Sequence, residues 1–278
     1  LSVAVMLFGR EINGSKRWLA LGPFSFQPSE FAKVALILFL ADLVTKNVKT
    51  IGKMWTLCRI MFWILPIVGL VGASNLSTAI IILGIGVILI FVASPKYAQF
   101  ALMGIAGACF MGIFLALESY RLERLAIWRN PEKYEKGYQT LQGLYAIGSG
   151  GVFGVGIGNS VQKLGFVPEA QNDMIFSIIC EELGIFGGLI VLMLYAYLLY
   201  RLFVIAQNAP DMFGSLMVSG IFIHIALQVI LNIAVVVNLM PNTGVTLPFI
   251  SYGGTSIVFL MAEMGLALSV ARQIKFEE

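Results

Sequence analysis

The sequence predicts an all-α, polytopic transmembrane helix bundle carrying one large polar loop. Three observations support this. Hydrophobic residues fill 59% of 278 positions and charged residues only 12%, about half the charged share of a soluble domain. Gly and Phe are abundant, at 29 and 20 copies, as packed membrane helices favour. The apolar residues gather into runs close to the roughly 20 residues that cross a bilayer. A two-domain soluble protein is thereby excluded, and a net charge of +3 gives no footing for a nucleic-acid binder.

The opening LSVAVMLF is apolar but too short to span, with no initiator Met and no basic signal-peptide start. It reads as the tail of a spanning helix whose start is missing, so an N-terminally truncated protein is expected. A polar loop at 9–28 follows, with turn signals at Asn13-Gly14 and Gly22-Pro23 and a helix start at Pro28-Ser29. Seven spans are then expected, at 29–45, 55–73, 76–94, 98–117, 174–203, 213–239 and 252–272. These make one domain over 1–278, of about seven helices plus a partial one.

Alternation puts loops 9–28, 74–75, 118–173 and 240–251 on one side, and loops 42–55, 94–97, 201–212 and the tail on the other. With the charge-balanced 118–173 loop set aside, Lys and Arg favour the second side, which is then cytoplasmic. Loop 118–173 is extracellular on this reading. Residues 119–136 are charged and aromatic, while 137–165 are Gly-rich, with GSGG at 148–151 and GVGIG at 154–158. The second part is apolar enough to lie on the membrane as a lid or reentrant segment. No Gly-Lys-Ser/Thr follows GVGIG, so a phosphate-cradling P-loop is rejected.

Ionisable residues inside apolar runs are costly and thus candidates for function. Glu30 and Lys33 are three apart on one helix face, either a self-neutralising pair or a polar cavity lining. Glu181 and Glu182 have no basic residue nearby in sequence, and Glu263 lies in the last helix with no partner in view. His224 is the only histidine, so a catalytic triad or histidine metal cluster is not expected, and a packed core histidine is. Cys58, Cys109 and Cys180 lie in or beside apolar runs without ligand spacing and read as buried small hydrophobes.

Asp173 is the strongest candidate for a general base, because it stands at a loop-to-helix junction where water meets the bilayer. The competing reading is a helix N-cap, which would hold its pKa down. Arg17 and Trp18 in the first outside loop, and Arg121 and Arg124 in the large one, are candidates for holding an anionic lipid-linked ligand. Ordinary headgroup snorkelling is the alternative for each.

The segments NGSKRW and FSFQPSEFAK, then YRLERL, then GYQTLQGLYAIGSGGVFGVGIGNSVQKLGFVPEAQNDMIFSIICEELG, then LMPNTGVTLPFISYGGTS resemble the SEDS proteins, the FtsW, RodA and SpoVE family. The resemblance covers essentially the whole chain and is closest to the FtsW/SpoVE branch. It implies ten membrane helices in the complete protein. It implies a peptidoglycan glycosyltransferase of the bacterial cytoplasmic membrane that polymerises lipid II at the outer face, working with a class B penicillin-binding transpeptidase. It places the family's loop aspartate on Asp173, its paired Glu and Lys on Glu30 and Lys33, and its basic-aromatic motif on Arg17 and Trp18. It also implies a divalent metal ion, Mg or Mn, with ligands unassigned. A lipid II flippase and a non-catalytic division scaffold are the alternatives. This chain departs from the family at Ser74-Asn75-Leu76-Ser77-Thr78, where many members read PDLGT, at Asn238 for a common Gly, and at Asn242 for a common Val or Thr.

Overall fold

The structure is a computed structural model that describes residues 10–12, 15–21, 24–72, 75–101, 104 and 125–274. The opening stub and most of the span expected at 98–117 lie outside the described residues.

The stretch 9–28, a loop by sequence, contains three short strands: β1 Arg10–Ile12, β2 Ser15–Leu21 and β3 Phe24–Phe26. They pair antiparallel in the order β1-β2-β3. Ile12 pairs with Ser15 and Leu21 with Phe24; the predicted turn dipeptides Asn13-Gly14 and Gly22-Pro23 lie outside the described residues.

Seven α-helices follow among the described residues: α1 Pro28–Asn47, α2 Met54–Gly72, α3 Leu76–Ala93, α4 Tyr138–Gly150, α5 Ile175–Gln207, α6 Met212–Val236 and α7 Gly254–Ala271. Five of these, α2, α3, α5, α6 and α7, are long and apolar enough to cross a membrane. The span read at 29–45 forms a helix, but Glu30, Lys33, Asp42 and Lys46 keep α1 out of that set. Pro28 opens α1 at a position where its missing N–H costs nothing. Asn75 caps α3, its Oδ1 accepting the Thr78 N–H at 3.2 Å, so the residue replacing the family's aspartate still serves as a helix cap.

The chain divides into two compact units. The first comprises 1–99, 198–227 and 253–278. In it α1 packs against α2, α3 and α7, and Leu36, Ile37, Leu40, Ile60, Ile82 and Ile85 form its fully buried core. Glycines let helices approach there: a Cβ on Gly220 would lie 2.6 Å from Ile37 Cγ2, and one on Gly86 2.8 Å from Ile64 Cδ1. Phe62, Trp63 and Leu65 on α2 stay exposed, as apolar side chains on a lipid-facing surface do. Cys58 is exposed on the same helix, against the expectation of burial, because it falls on that outward surface; Cys180 is buried as expected.

The second unit comprises 100–197 and 228–252. The Gly-rich half of the large loop, read from sequence as a lid or reentrant segment, begins as helix α4. Gly143 and Gly150 lie two turns apart on one face, and α5 with the residue before it lies so close that a Cβ would sit 2.2 Å from Met174 Cε and 2.0 Å from the Cys180 carbonyl oxygen respectively. After α4 the chain folds onto a break in α5 at Gly184, where φ is 69° and ψ −173°. The break frees backbone groups, and the loop takes them up. Val155 and Gly156 donate to the carbonyls of Glu181 and Glu182, both at 3.0 Å. Ile185 and Phe186 donate to the carbonyls of Gly151 and Val152 at 2.9 and 3.1 Å. Backbone groups freed by a break need partners, and these four pairs supply them.

Candidate active site

Asp173 lies two residues before α5 and is buried. Three segments of the second unit surround it. The first turn of α4 supplies Gln139, whose Nε2 donates to the two carboxylate oxygens at 3.3 and 3.5 Å. The last turns of α6 supply Asn232, whose Nδ2 donates to the Asp173 backbone carbonyl and to the Val245 carbonyl, both at 2.7 Å. One amide thereby joins the aspartate's backbone to the segment after α6. That segment turns at Gly244, where φ is +65° and a Cβ would stand 3.9 Å from Asp173 Oδ2. Farther along, Ser251 Oγ donates to the Asn172 carbonyl at 2.6 Å, and Tyr252 N–H to the Gln171 carbonyl at 2.9 Å. The Tyr195 hydroxyl also holds this segment, donating to the Pro248 carbonyl.

The carboxylate does not cap α5, so the capping alternative for Asp173 is corrected. Its hydrogen bonds come from Gln139 and its own backbone N–H. Burial pushes its pKa up to about 6; those two donors oppose the rise, and nearby Glu169 adds to it. A carboxylate raised this far holds and releases a proton near neutral pH, as a general base must.

The other predicted residues fall as follows. Glu30 and Lys33 form a buried ion pair in the first unit, Nζ to Oε1 2.9 Å. Trp18 lies on β2, half-buried. Arg17 lies on the same strand, and its side chain is outside the described residues, as are Arg121 and Arg124. Glu30, Lys33 and Trp18 thus belong to one unit and Asp173 to the other.

Two acidic residues without partners in sequence have them in space. Glu182 Oε1 pairs with Lys163 Nζ at 2.5 Å. Glu181 accepts from the Ser160 hydroxyl and from the backbone N–H groups of Val161 and Gln162 at 3.1 and 3.4 Å. Both carboxylates therefore bind the returning loop. Glu263 meets His224, whose Nδ1 lies 2.9 Å from each carboxylate oxygen. His224 is buried as predicted, and the pair answers the open question about Glu263.

Sequence reading missed Gln139, Asn232 and Asn242. Gln139 and Asn242 sit in polar loops, where an uncharged amide carries no cost signal, Asn232 is one uncharged residue inside an apolar span, and the three lie 34, 59 and 69 positions from Asp173. Asn238 has φ +58°, a left-handed conformation that Asn tolerates better than most residues. That explains Asn in a position commonly Gly. Its carbonyl accepts the Trp128 indole N–H at 3.0 Å.

Among the described residues, no three His, Cys, Asp or Glu side chains converge to hold a metal.

Fold and site together define a multi-pass membrane protein with a buried carboxylate where a loop enters a helix. The sequence model of the FtsW/RodA/SpoVE family, described as cell cycle protein, matches residues 1–276, and the chain belongs to that family. Stage V sporulation protein E of Bacillus subtilis (strain 168) is 41% identical over 275 residues, which are 95% of this chain and 73% of that protein. A probable peptidoglycan glycosyltransferase FtsW of Saccharophagus degradans is 35% identical over 284 residues, 100% of this chain and 73% of that one. Among solved structures, one described as structural coordination of polymerization and crosslinking by a peptidoglycan synthase complex has a TM-score of 0.82 at 31% identity. It is matched over 99% of this chain and 79% of that one. The rod shape determining protein RodA of Thermus thermophilus has a TM-score of 0.69 at 30% identity, over 99% and 75% of the two chains.

Proposed function

We propose that this bacterial inner-membrane protein is a peptidoglycan glycosyltransferase that polymerises lipid II at the outer membrane face, with Asp173 as general base. The observation that carries the assignment of Asp173 is its environment: a buried carboxylate, raised to about 6 and aimed by Gln139. The family membership, and the names of the relatives, support the reaction class.

In this reading Asp173 takes the proton of the sugar 4-hydroxyl on the acceptor lipid II. The oxygen attacks the anomeric carbon of the donor glycan, the bond to pyrophosphate breaks, and undecaprenyl pyrophosphate leaves. With a pKa near 6, about nine-tenths of the Asp173 groups are ionised at neutral pH. General-base help is worth roughly 10²–10⁴-fold. Arg17, Arg121 and Arg124 are assigned to the leaving pyrophosphate, which guanidinium groups bind by paired hydrogen bonds; Trp18 is assigned to the same ligand. Glu30 and Lys33 are assigned to the polar lining of the substrate cavity. A class B penicillin-binding transpeptidase is the proposed partner, in keeping with the synthase complex among the structural relatives.

The test is polymerisation of labelled lipid II by the complete protein in detergent, where no leaflets exist. Glycan strands from wild type and none from Asp173→Asn are expected. Activity only in sealed vesicles supports the flippase alternative, and normal strands from Asp173→Asn remove Asp173 from the mechanism.

A further inference from the structure

Asn242 lies in the segment that passes over Asp173, yet it does not touch the carboxylate. Its Oδ1 accepts the backbone N–H of Gly244 at 3.1 Å. Its Nδ2 donates to Gln139 Oε1 at 2.9 Å. Gln139 in turn points Nε2 at both oxygens of Asp173.

The direction of this chain is fixed from its far end. A backbone N–H only donates, so Gly244 sets which end of the Asn242 amide is oxygen. Asn242 must then offer its nitrogen to Gln139, and Gln139 must answer with its oxygen. Only the Gln139 nitrogen remains for Asp173. A Gln139 side chain turned the other way would present oxygen to the carboxylate, an arrangement satisfied only by a proton on Asp173.

We propose that Asn242 is a positioning residue for glycosyl transfer, locking Gln139 as a donor and so holding Asp173 ionised and aimed. The inference rests on the reading of Asp173 as the base. It belongs to this chain in particular, because the Val common at this position in the family has no donor, and a Thr hydroxyl both donates and accepts. Glu169 is the charged group acting on Asp173 among the described residues, and it plays no part in the relay.

The test follows the Asp173 carboxyl by infrared absorption across pH in the complete protein, with Asp173→Asn as the blank. Lipid II polymerisation is measured over the same range. Four backgrounds are compared: wild type, Asn242→Leu, Gln139→Ala and the double variant. Asn242→Leu is expected to raise the Asp173 midpoint by about half to one pH unit, and to add nothing once Gln139 is Ala. Asn242→Thr, closer to the family's usual residue, is expected to shift the midpoint in the same direction and serves if Leu prevents folding. An unchanged midpoint in a folded Asn242 variant overturns the inference, as does an equal shift with Gln139 absent. A shifted infrared midpoint with an unshifted polymerisation profile leaves the hydrogen-bond relay standing but removes Asp173 as the base, and with it the role of Asn242 in transfer.

Discussion

Asp173→Asn is expected to stabilise the protein while abolishing polymerisation. Burial lifts the Asp173 pKa from 3.8 to about 6, so the folded state resists ionising a group that the unfolded chain ionises freely. A group raised in this way contributes stability that is complete below its unfolded pKa and lost as pH rises through the folded one. The rise is about two units at about 1.4 kcal/mol each, so ionised Asp173 costs the fold about 3 kcal/mol near pH 7.5. Asn has nearly the same shape, carries no charge and still offers an oxygen to Gln139 Nε2, so it removes that cost. Near pH 4.5 the folded carboxyl is largely protonated, and the advantage of Asn falls to about 1 kcal/mol. Thermal unfolding of the purified complete protein in detergent reads this directly. The midpoint of Asp173→Asn should exceed that of wild type by several degrees near pH 7.5, with the gap narrowing as pH falls. A variant no more stable than wild type at the higher pH, or a gap that widens with acidity, refutes the argument that burial sets this pKa.

Three further outcomes follow from the packing. Lys33→Met removes the cation paired with buried Glu30, a loss of about 3–5 kcal/mol visible as reduced folded yield; adding Glu30→Leu should restore most of it. His224→Leu strands Glu263 in the same way, and the double variant with Glu263→Leu should regain the melting temperature lost by the single one. Gly150→Ala drives a methyl group into the Cys180 carbonyl, 2.0 Å from the added Cβ, and should separate α4 from α5, measured as faster amide hydrogen exchange across 138–150.

Much of the helical architecture is legible in the sequence because a bilayer demands long apolar runs. The spans read at 55–73, 76–94 and 252–272 match α2, α3 and α7 to within two residues at either end. The run at 174–203 corresponds to α5, but its break at Gly184 is invisible to hydropathy. Glycine is common in membrane helices, and only the loop that pairs with the freed backbone distinguishes this one. Helix α4 was concealed for a related reason: its Gly residues, which read as loop, are there to let α5 approach. Asp173 stands out by its position at a junction, whereas its perturbation does not. That rise comes from burial, with Glu169 adding to it and Gln139 opposing it, and the fold that buries Asp173 brings together segments far apart in the chain. Glu182 and Glu263 show the same limit, since their partners Lys163 and His224 lie 19 and 39 positions away.

The central claim is that Asp173 accepts the proton in the polymerisation step. Its most direct test is the rate of lipid II polymerisation by the complete protein as a function of pH. The rate should climb with an apparent pKa near 6, the value that burial gives Asp173, and level off above it. A rate that stays flat from about pH 5 to 7.5, where Asp173 passes from protonated to ionised, contradicts the claim.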